Sequence, residues 1–369
     1  MATIRDVARE AGVSIATVSR VFNQTALVSE VTATHVRGIA ARLDYWPNSA
    51  ARSLITHRTH AIGVLLPDLY GEFFSEVIRG IDLAARAEKY QVLVSSFHAS
   101  AETIVSAIRA LRGRIDGLIV MVPDADAHTA IQEFATRFPV VLLNPGATAP
   151  ECGALSIANY DGAYAAVTHL AALGHKRIGL LRGPVGNLDA DERARGWRDA
   201  LKDAGLEPHA SLEVAGDFSE SAGFRAAAEF VHMRPRPSAV FCANDYMAIG
   251  LLSALRDAEV RVPQDMAIVG FDDIAIARYL TPALTTVHVD ACSLGERALR
   301  QLLPFARSRR PADGQRDQLA TSLVVRQSCG APQPTVAEPQ GGRARRRGHG
   351  TSSHHREERL TANGDGATA

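Results

Sequence analysis

From Ala61 onward the chain alternates short apolar runs with amphipathic stretches, and this alternation constrains its fold more than any other feature. The strand candidates are AIGVLLP (61–67), VLVSSF (92–97), GLIVMVP (117–123), VVLLN (140–144), RIGLLRG (177–183), SLEVAGDF (211–218), AVFCAND (239–245) and AIVGFDD (267–273). Helical patterns fit between most of them, as at Phe74–Glu88, Asp161–Leu173, Asp191–Ala204 and Ser221–His232. Strands that alternate with helices form a parallel, doubly wound sheet, because each crossover helix covers a face of the sheet. Two such halves between residues 61 and 330 imply two similar lobes. In open parallel sheets ligands bind outside the carboxyl ends of the strands. The residues at those ends are Asp68, Phe73, Phe74, Asn144, Asn187, Asp189, Arg193, Phe218, Asn244, Asp245, Asp272 and Asp273. Arg193, Asn244, Asp272 and Phe218 supply the forked donors, acceptors and aromatic face that a hydroxyl-rich ligand needs. Other readings stay open for some of them. Phe73 and Phe74 could be core, Asp245 or Asp273 could cap a helix, and Arg193 could pair with Glu192 or Asp189.

The first 47 residues have a different texture. Thr3 can cap a helix with Asp6 in its first turn, and Ile4, Val7, Ala8 and Ala11 then share one face. Gly12 and Val13 break it. Ser14 can cap a second helix that buries Val18, Val21 and Phe22, and Ser29 a third that buries Val36, Ile39, Ala40 and Leu43. Pro47 stops the third. A helix, a Gly-containing turn and a short second helix form the helix-turn-helix pattern. The outward side of the second helix carries Ile15, Ala16, Ser19, Arg20 and Asn23. An arginine there can bond a guanine in two places, for about 1–3 kcal/mol of discrimination, and Ile15 and Ala16 can pack on thymine methyls. In residues 1–60, Arg5, Arg9, Arg20, Arg37, Arg42, Arg52 and Arg58 outnumber Asp6, Glu10, Glu30 and Asp44, which suits phosphate contacts. A small bundle of protein-interaction helices is the alternative.

Composition narrows the class. With 46% hydrophobic and 22% charged residues and no net charge, the chain has ordinary soluble-globular composition. Arg5, Asp6, Arg9 and Glu10 interrupt the first apolar residues, so no signal peptide is read, and no apolar run is long enough to span a membrane. Cys152, Cys242, Cys292 and Cys329 show no C-x-x-C spacing, which argues against zinc or a disulfide framework. Phosphate-loop, nucleophile-elbow, zinc-protease and dinucleotide motifs are absent, so no enzyme activity and no cofactor are expected. Residues 331–369, with the run RARRR at 343–347, lack apolar periodicity and read as a disordered tail. A transport solute-binding protein and a sugar-modifying enzyme using Asp272 and Asp273 are the rival functions. Salt-dependent, sequence-selective DNA binding would exclude both as the main activity.

Several stretches together resemble the lactose-repressor/galactose-repressor (LacI/GalR) family of bacterial transcription regulators. They are TIRDVAREAGVSIATVSRVFN (3–23), PNSAARSL (47–54), AIGVLLPD (61–68), GHKRIGLL (174–181), DERARGW (191–197), PSAVFCANDYMAIG (237–250) and VPQDMAIVGFDDIAIARYLTPALTTV (262–287). The resemblance covers residues 2–330. It implies an all-α helix-turn-helix DNA-binding domain (1–47), a hinge helix and linker (48–60), and an α/β two-lobed effector domain like periplasmic binding proteins (61–330). The first lobe would take about 61–157 and 288–318, and the second about 158–287 and 319–330. It implies a cytoplasmic repressor, not an enzyme, that binds a pseudo-palindromic double-stranded DNA operator as a homodimer. No heptad-leucine helix is present to make a tetramer.

On this resemblance Ile15, Ala16, Thr17, Ser19, Arg20 and Asn23 face the major groove. Ala51, Leu54 and Ile55 sit on the hinge helix in the minor groove, with Leu54 wedged between base pairs. Phe73, Asn144, Asn187, Asp189, Arg193, Phe218, Asn244 and Asp272 contact a small effector. A purine-responsive member is similar over 262–287, yet it has arginine, threonine and aspartate where this chain has Asn187, Asp189 and Asn144. A carbohydrate effector is therefore expected.

A wedge must offset a few kcal/mol of unstacking through the contacts that a bend permits. Leu54→Ala is expected to weaken operator binding strongly in a gel-shift titration while leaving effector binding intact; equal loss of both would indicate misfolding.

Overall fold

Strands buried on both faces need apolar residues at every position, and Ala61–Leu66 and Gly117–Met121 are buried throughout. The structure is a computed structural model that describes residues 2–23, 28–46, 58–97, 101–121, 131, 134–145 and 152–332. The expected hinge helix, with Ala51, Leu54 and Ile55, lies outside the described residues, as does the expected tail from residue 333 on.

Three helices lead the chain: α1 (Ile4–Glu10), α2 (Ile15–Asn23) and α3 (Glu30–Arg42). Thr3 and Asp6 cap α1 reciprocally, with the Asp6 carboxylate accepting from Thr3 N at 3.0 Å. Ser14 Oγ accepts from Thr17 N at 3.1 Å and Ser29 Oγ from Thr32 N at 3.3 Å, so all three expected caps are in place. Gly12 turns the chain between α1 and α2 at φ +63, and a Cβ there would meet nothing within 4 Å. The backbone angle, not crowding, calls for glycine. Val7, Val18, Val21, Val36 and Ile39 close one small core.

Twelve strands follow among the described residues: β1 (Ala61–Leu66), β2 (Gln91–Ser96), β3 (Gly117–Met121), β4 (Val140–Leu143), β5 (Gly153–Ile157), β6 (Ile178–Arg182), β7 (Glu213–Ala215), β8 (Ala239–Cys242), β9 (Ala267–Asp272), β10 (Thr285–His288), β11 (Arg316–Leu319) and β12 (Ser322–Val324). They form two six-stranded sheets, ordered β11-β5-β4-β3-β1-β2 and β12-β10-β9-β8-β6-β7. Every pairing is parallel except β10 with β12. This is the doubly wound, two-lobed α/β architecture expected.

Eight strands were legible in the sequence, and four were not. β11 (RDQL) and β12 (SLV) are short sheet edges with little apolar content, and β10 (TTVH) buries two threonines where an apolar pair would have been visible. β5 (GALSI) is diluted by small residues. The expected strand over 211–218 shrinks to Glu213–Ala215, since Ala210–Leu212 form a 3-10 turn.

The lobes are covered by α4 (Glu72–Ala87), α5 (Ala101–Leu111), α6 (Asn159–Ala172), α7 (Leu188–Asp203), α8 (Glu220–His232), α9 (Asp245–Asp257) and α10 (Ala291–Ser308). Helix α10 returns from the second sheet to pack on α4, β3, β4 and β5 of the first. The chain therefore passes between the sheets three times, after Ile157, after His288 and after Leu319. Two helix pairs touch backbone to backbone through glycine: Gly80 and Gly295 between α4 and α10, and Gly223 and Gly250 between α8 and α9.

A Cβ at Gly250 would lie 1.9 Å from the carbonyl oxygen of Glu220. Gly250→Ala is expected to lower stability by about 1–3 kcal/mol in thermal unfolding. Gly38 lies within α3 and is exposed, with nothing within 4 Å of a Cβ, so Gly38→Ala should raise it by about 0.5–1 kcal/mol.

Candidate functional site

At the carboxyl ends of both sheets the lobes enclose a cavity of about 440 Å³. Small-molecule sites typically occupy about 300–1,000 Å³. The first lobe contributes Pro67, Asp68, Tyr70, Gly71, Phe73, Phe74 and Met121 to its walls. The second contributes Pro184, Asn187, Asp189, Arg193, Asp217, Phe218, Ser219, Asn244, Tyr246 and Asp272.

Arg193, on α7, is the hub and is only 5% exposed. A guanidinium can be buried when its donors and its flat face are all engaged. Its Nε donates to Asn159 Oδ1 at 2.8 Å, and its Nη1 donates to the Ala243 carbonyl and lies 3.5 Å from Asp272 Oδ1. Its Cζ stands 3.7 Å from the centroid of the Phe271 ring and 5.8 Å from that of Phe218. Asp189, one helical turn earlier, accepts from Asn159 Nδ2 at 2.8 Å and from Asn144 Nδ2 at 3.0 Å. Asn144 follows β4 of the first sheet, so this last bond joins the two lobes. Asn144 also accepts from Ile157 N at 2.8 Å and stands behind Asp189 rather than on the cavity wall.

Burial raises both carboxyls. Asp272 is pushed up to about 7, chiefly by removal from water; Arg193 opposes the shift and the charge of Asp189 adds to it. Asp189 is pushed up to about 6 by the same loss of water, again opposed by Arg193 and by its two asparagine donors.

Asn187 and Asn244 are helix caps as well as wall residues. Asn187 Oδ1 accepts from Ala190 N at 3.0 Å at the start of α7. Asn244 Oδ1 accepts from Met247 N at 3.0 Å at the start of α9, while its Nδ2 donates to the Phe218 carbonyl at 2.9 Å. Asp245, one of the expected strand-end residues, is fully buried and structural: it accepts from Thr286 Oγ1 and from Ile274 N. Asp273 bonds Arg326 at 2.6 Å and His288 at 3.0 Å. Asn144, Phe218, Asp272 and Asp273 all hold positive φ, at +50, +68, +114 and +58. Such backbone costs about 1–3 kcal/mol per residue and persists where the surroundings impose it.

The sequence reading missed Asn159, which bridges Arg193 and Asp189, because it missed β5, whose carboxyl end presents it. It also missed Tyr246 and Asp217. The lobes meet at the mouth of the cleft. Tyr246 Oη accepts from Glu72 N at 2.8 Å, Glu72 Oε1 accepts from Ala275 N at 2.6 Å, and Tyr70 Oη donates to Glu220 Oε1 at 3.2 Å.

In the N-terminal bundle, α2 buries Val18 and Val21 and turns Ile15, Ala16 and Arg20 outward, with Ile15 47% exposed. Thr17 and Ser19 are half-buried beside them, and Asn23 ends the helix. Among the described residues no cluster could hold a metal ion, and no helix is long and apolar enough to cross a membrane.

Comparison with known proteins matches residues 3–48 to the bacterial regulatory proteins of the lacI family and residues 167–329 to the periplasmic binding protein-like domain. The ribose operon repressor of Escherichia coli (strain K12) is 36% identical over 307 residues, covering 82% of this chain and 92% of the repressor. The transcriptional repressor PurR of Proteus mirabilis is 35% identical over 331 residues, covering 89% of this chain and 97% of PurR. Among solved structures, the lac repressor dimer bound to operator and the anti-inducer ONPF aligns with a TM-score of 0.82 at 32% identity, over 89% of this chain and 99% of that one.

With Asp189 and Asp272 raised above the ordinary carboxylate value of about 3.9, the native state holds more protons than the unfolded chain in the interval between. Their contribution to stability therefore falls as pH rises from about 4 to about 7 and levels off above. Thermal unfolding of the ligand-free protein across that interval should show this slope, and Asp272→Asn should flatten it; an unchanged slope would show that Asp272 is ionised throughout.

Proposed function

The chain belongs to the lacI family of bacterial regulatory proteins, and from that premise we propose that it is a DNA-binding repressor whose operator affinity is controlled by a sugar or sugar derivative in the interlobe cleft. It is a regulator, not an enzyme. One observation carries the carbohydrate reading: the cleft is rich in acceptors. Asp68, Asp189, Asp217 and Asp272 line it with Arg193 as the single cation among the described lining residues, beside the aromatic faces of Phe73, Phe74 and Phe218. Hydroxyl groups satisfy carboxylates and an aromatic wall takes the apolar face of a sugar ring, while a phosphate or a sugar acid would meet repulsion. The relative named for the ribose operon supports the same reading. The likeness to PurR supports a purine as the second reading.

At the other end, Arg20, Ile15, Ala16, Thr17, Ser19 and Asn23 would read base edges from α2 in the major groove. Ala51, Leu54 and Ile55 would enter the minor groove from the hinge. The lac repressor neighbour is a dimer on its operator, which supports a homodimer on a pseudo-palindromic site in the bacterial cytoplasm. The link between the two ends begins at Asp116. Its buried carboxylate accepts from Thr59 N at 2.8 Å, Thr59 Oγ1 at 2.9 Å and His60 N at 2.9 Å. Residues 59 and 60 thus ride with the first lobe, so a change in lobe closure is delivered directly to the hinge. A nine-residue helix is marginal alone, so the hinge should form only when DNA and the partner hinge support it. The effector shifts operator affinity by its differential affinity for the two states.

A thermal-shift screen of neutral sugars, sugar acids, sugar phosphates and purines tests the reading. A neutral sugar at about 100 times its Kd should stabilise the protein by about 2.7 kcal/mol, and Arg193→Ala should abolish the shift. Stabilisation by purines alone would select the second reading, and stabilisation by sugar phosphates or acids would refute the electrostatic argument.

A further inference from the structure

Beside the main cavity lies a second, of about 190 Å³, and Phe73 and Asp272 are the two residues that line both. Asp272 ends β9 and is held against Arg193. Phe73 lies in the first turn of α4 and packs edge-on against Phe74, with ring centroids 5.5 Å apart. Because Asp272 is held against the anchor Arg193, the part of the shared wall that can be truncated without disturbing that anchor is the phenyl ring of Phe73. The second chamber is polar. Glu76 and Arg79 pair within it at 2.9 Å, His288 bonds Asp273 at 3.0 Å, and the exposed Arg278 completes the side provided by the Ala275–Tyr279 turn. Donors and acceptors of this kind suit hydroxyls.

We propose that Phe73 is the size filter of the cleft, holding the effector to a single sugar ring by closing the passage from the main cavity into this second polar chamber. The Phe73 ring and the Asp272 carboxylate stand between an effector anchored on Arg193 and the second chamber. The filter rests on the carbohydrate reading above. It adds that a ring-enlarged ligand is rejected sterically at one named residue rather than by lack of polar partners beyond it. Rejection of this kind is lifted by truncation, unlike the loss of a hydrogen bond.

The test is calorimetric titration of full-length wild type, Phe73→Ala and Phe73→Val with a panel of pentoses, hexoses and their disaccharides, and with adenine and adenosine. Far-UV circular dichroism and operator binding verify that each variant is folded. Wild type should bind a monosaccharide and reject its disaccharides. Phe73→Ala should shift that ratio toward a disaccharide by at least about tenfold, and Phe73→Val should shift it less. Adding Arg278→Ala to Phe73→Ala should remove the gain while leaving monosaccharide binding as it was. A folded Phe73→Ala that loses the monosaccharide and gains no disaccharide overturns the proposal, as does a wild type that binds both sizes alike. If wild type binds adenine and no sugar, the carbohydrate reading fails. The filter then stands or falls on whether Phe73→Ala admits adenosine.

Discussion

The three passages of the chain between its two sheets govern the rest of the molecule. A single linker would leave the lobes free to find any relative orientation, whereas three connections limit that freedom. The first and third passages are also bonded to each other, and the second is bonded to the end of β9. Ala158 N donates to the Leu319 carbonyl, Thr321 Oγ1 donates to the Ala158 carbonyl, and Val289 N donates to the Asp272 carbonyl. The passages therefore adjoin the groups that hold the cleft together. Asn159, one residue beyond the first passage, binds both Arg193 and Asp189, and Asp272 contacts the second passage through its backbone.

This arrangement gives a physical meaning to the stored cost in the cleft. Two carboxyls sit in poor solvent around one guanidinium, and four residues hold strained backbone beside them. Asp189, Arg193 and Asp272 all belong to the second lobe, so on the proposed function a ligand that donates hydroxyls to them would favour closure only through what Asp68, Phe73 and Phe74 of the first lobe add. A contact added on closure is a differential affinity, the quantity an allosteric regulator needs. The bond from Asn144 to Asp189 crosses between the lobes and links the end of β4 in one to α7 in the other.

Much of this is legible in the sequence. The N-terminal bundle follows from caps and periodicity, since Thr3, Ser14 and Ser29 each bond a backbone N–H in the turn that follows. The central strands were legible because strands buried on both faces are uninterrupted apolar runs. Edge strands β11 and β12 were not, since half of each faces water and their identity comes from the neighbour they pair with. The cost of missing β5 was specific. Asn159 stands at its carboxyl end, and without the strand nothing in the sequence sets that asparagine apart.

By itself the sequence determined the class of architecture, the three capped helices, and the residue types available at the strand ends, because each depends on local periodicity and on groups a few residues apart. Only the tertiary structure decided what those residues do to one another. It set Asn144 behind Asp189 instead of on the wall, made Asn187 and Asn244 caps, buried Asp245 under Thr286, and put Phe73 between two cavities. Roles of that kind depend on distances between elements far apart in the chain and on how much water remains between them, and neither quantity is written in the order of the residues.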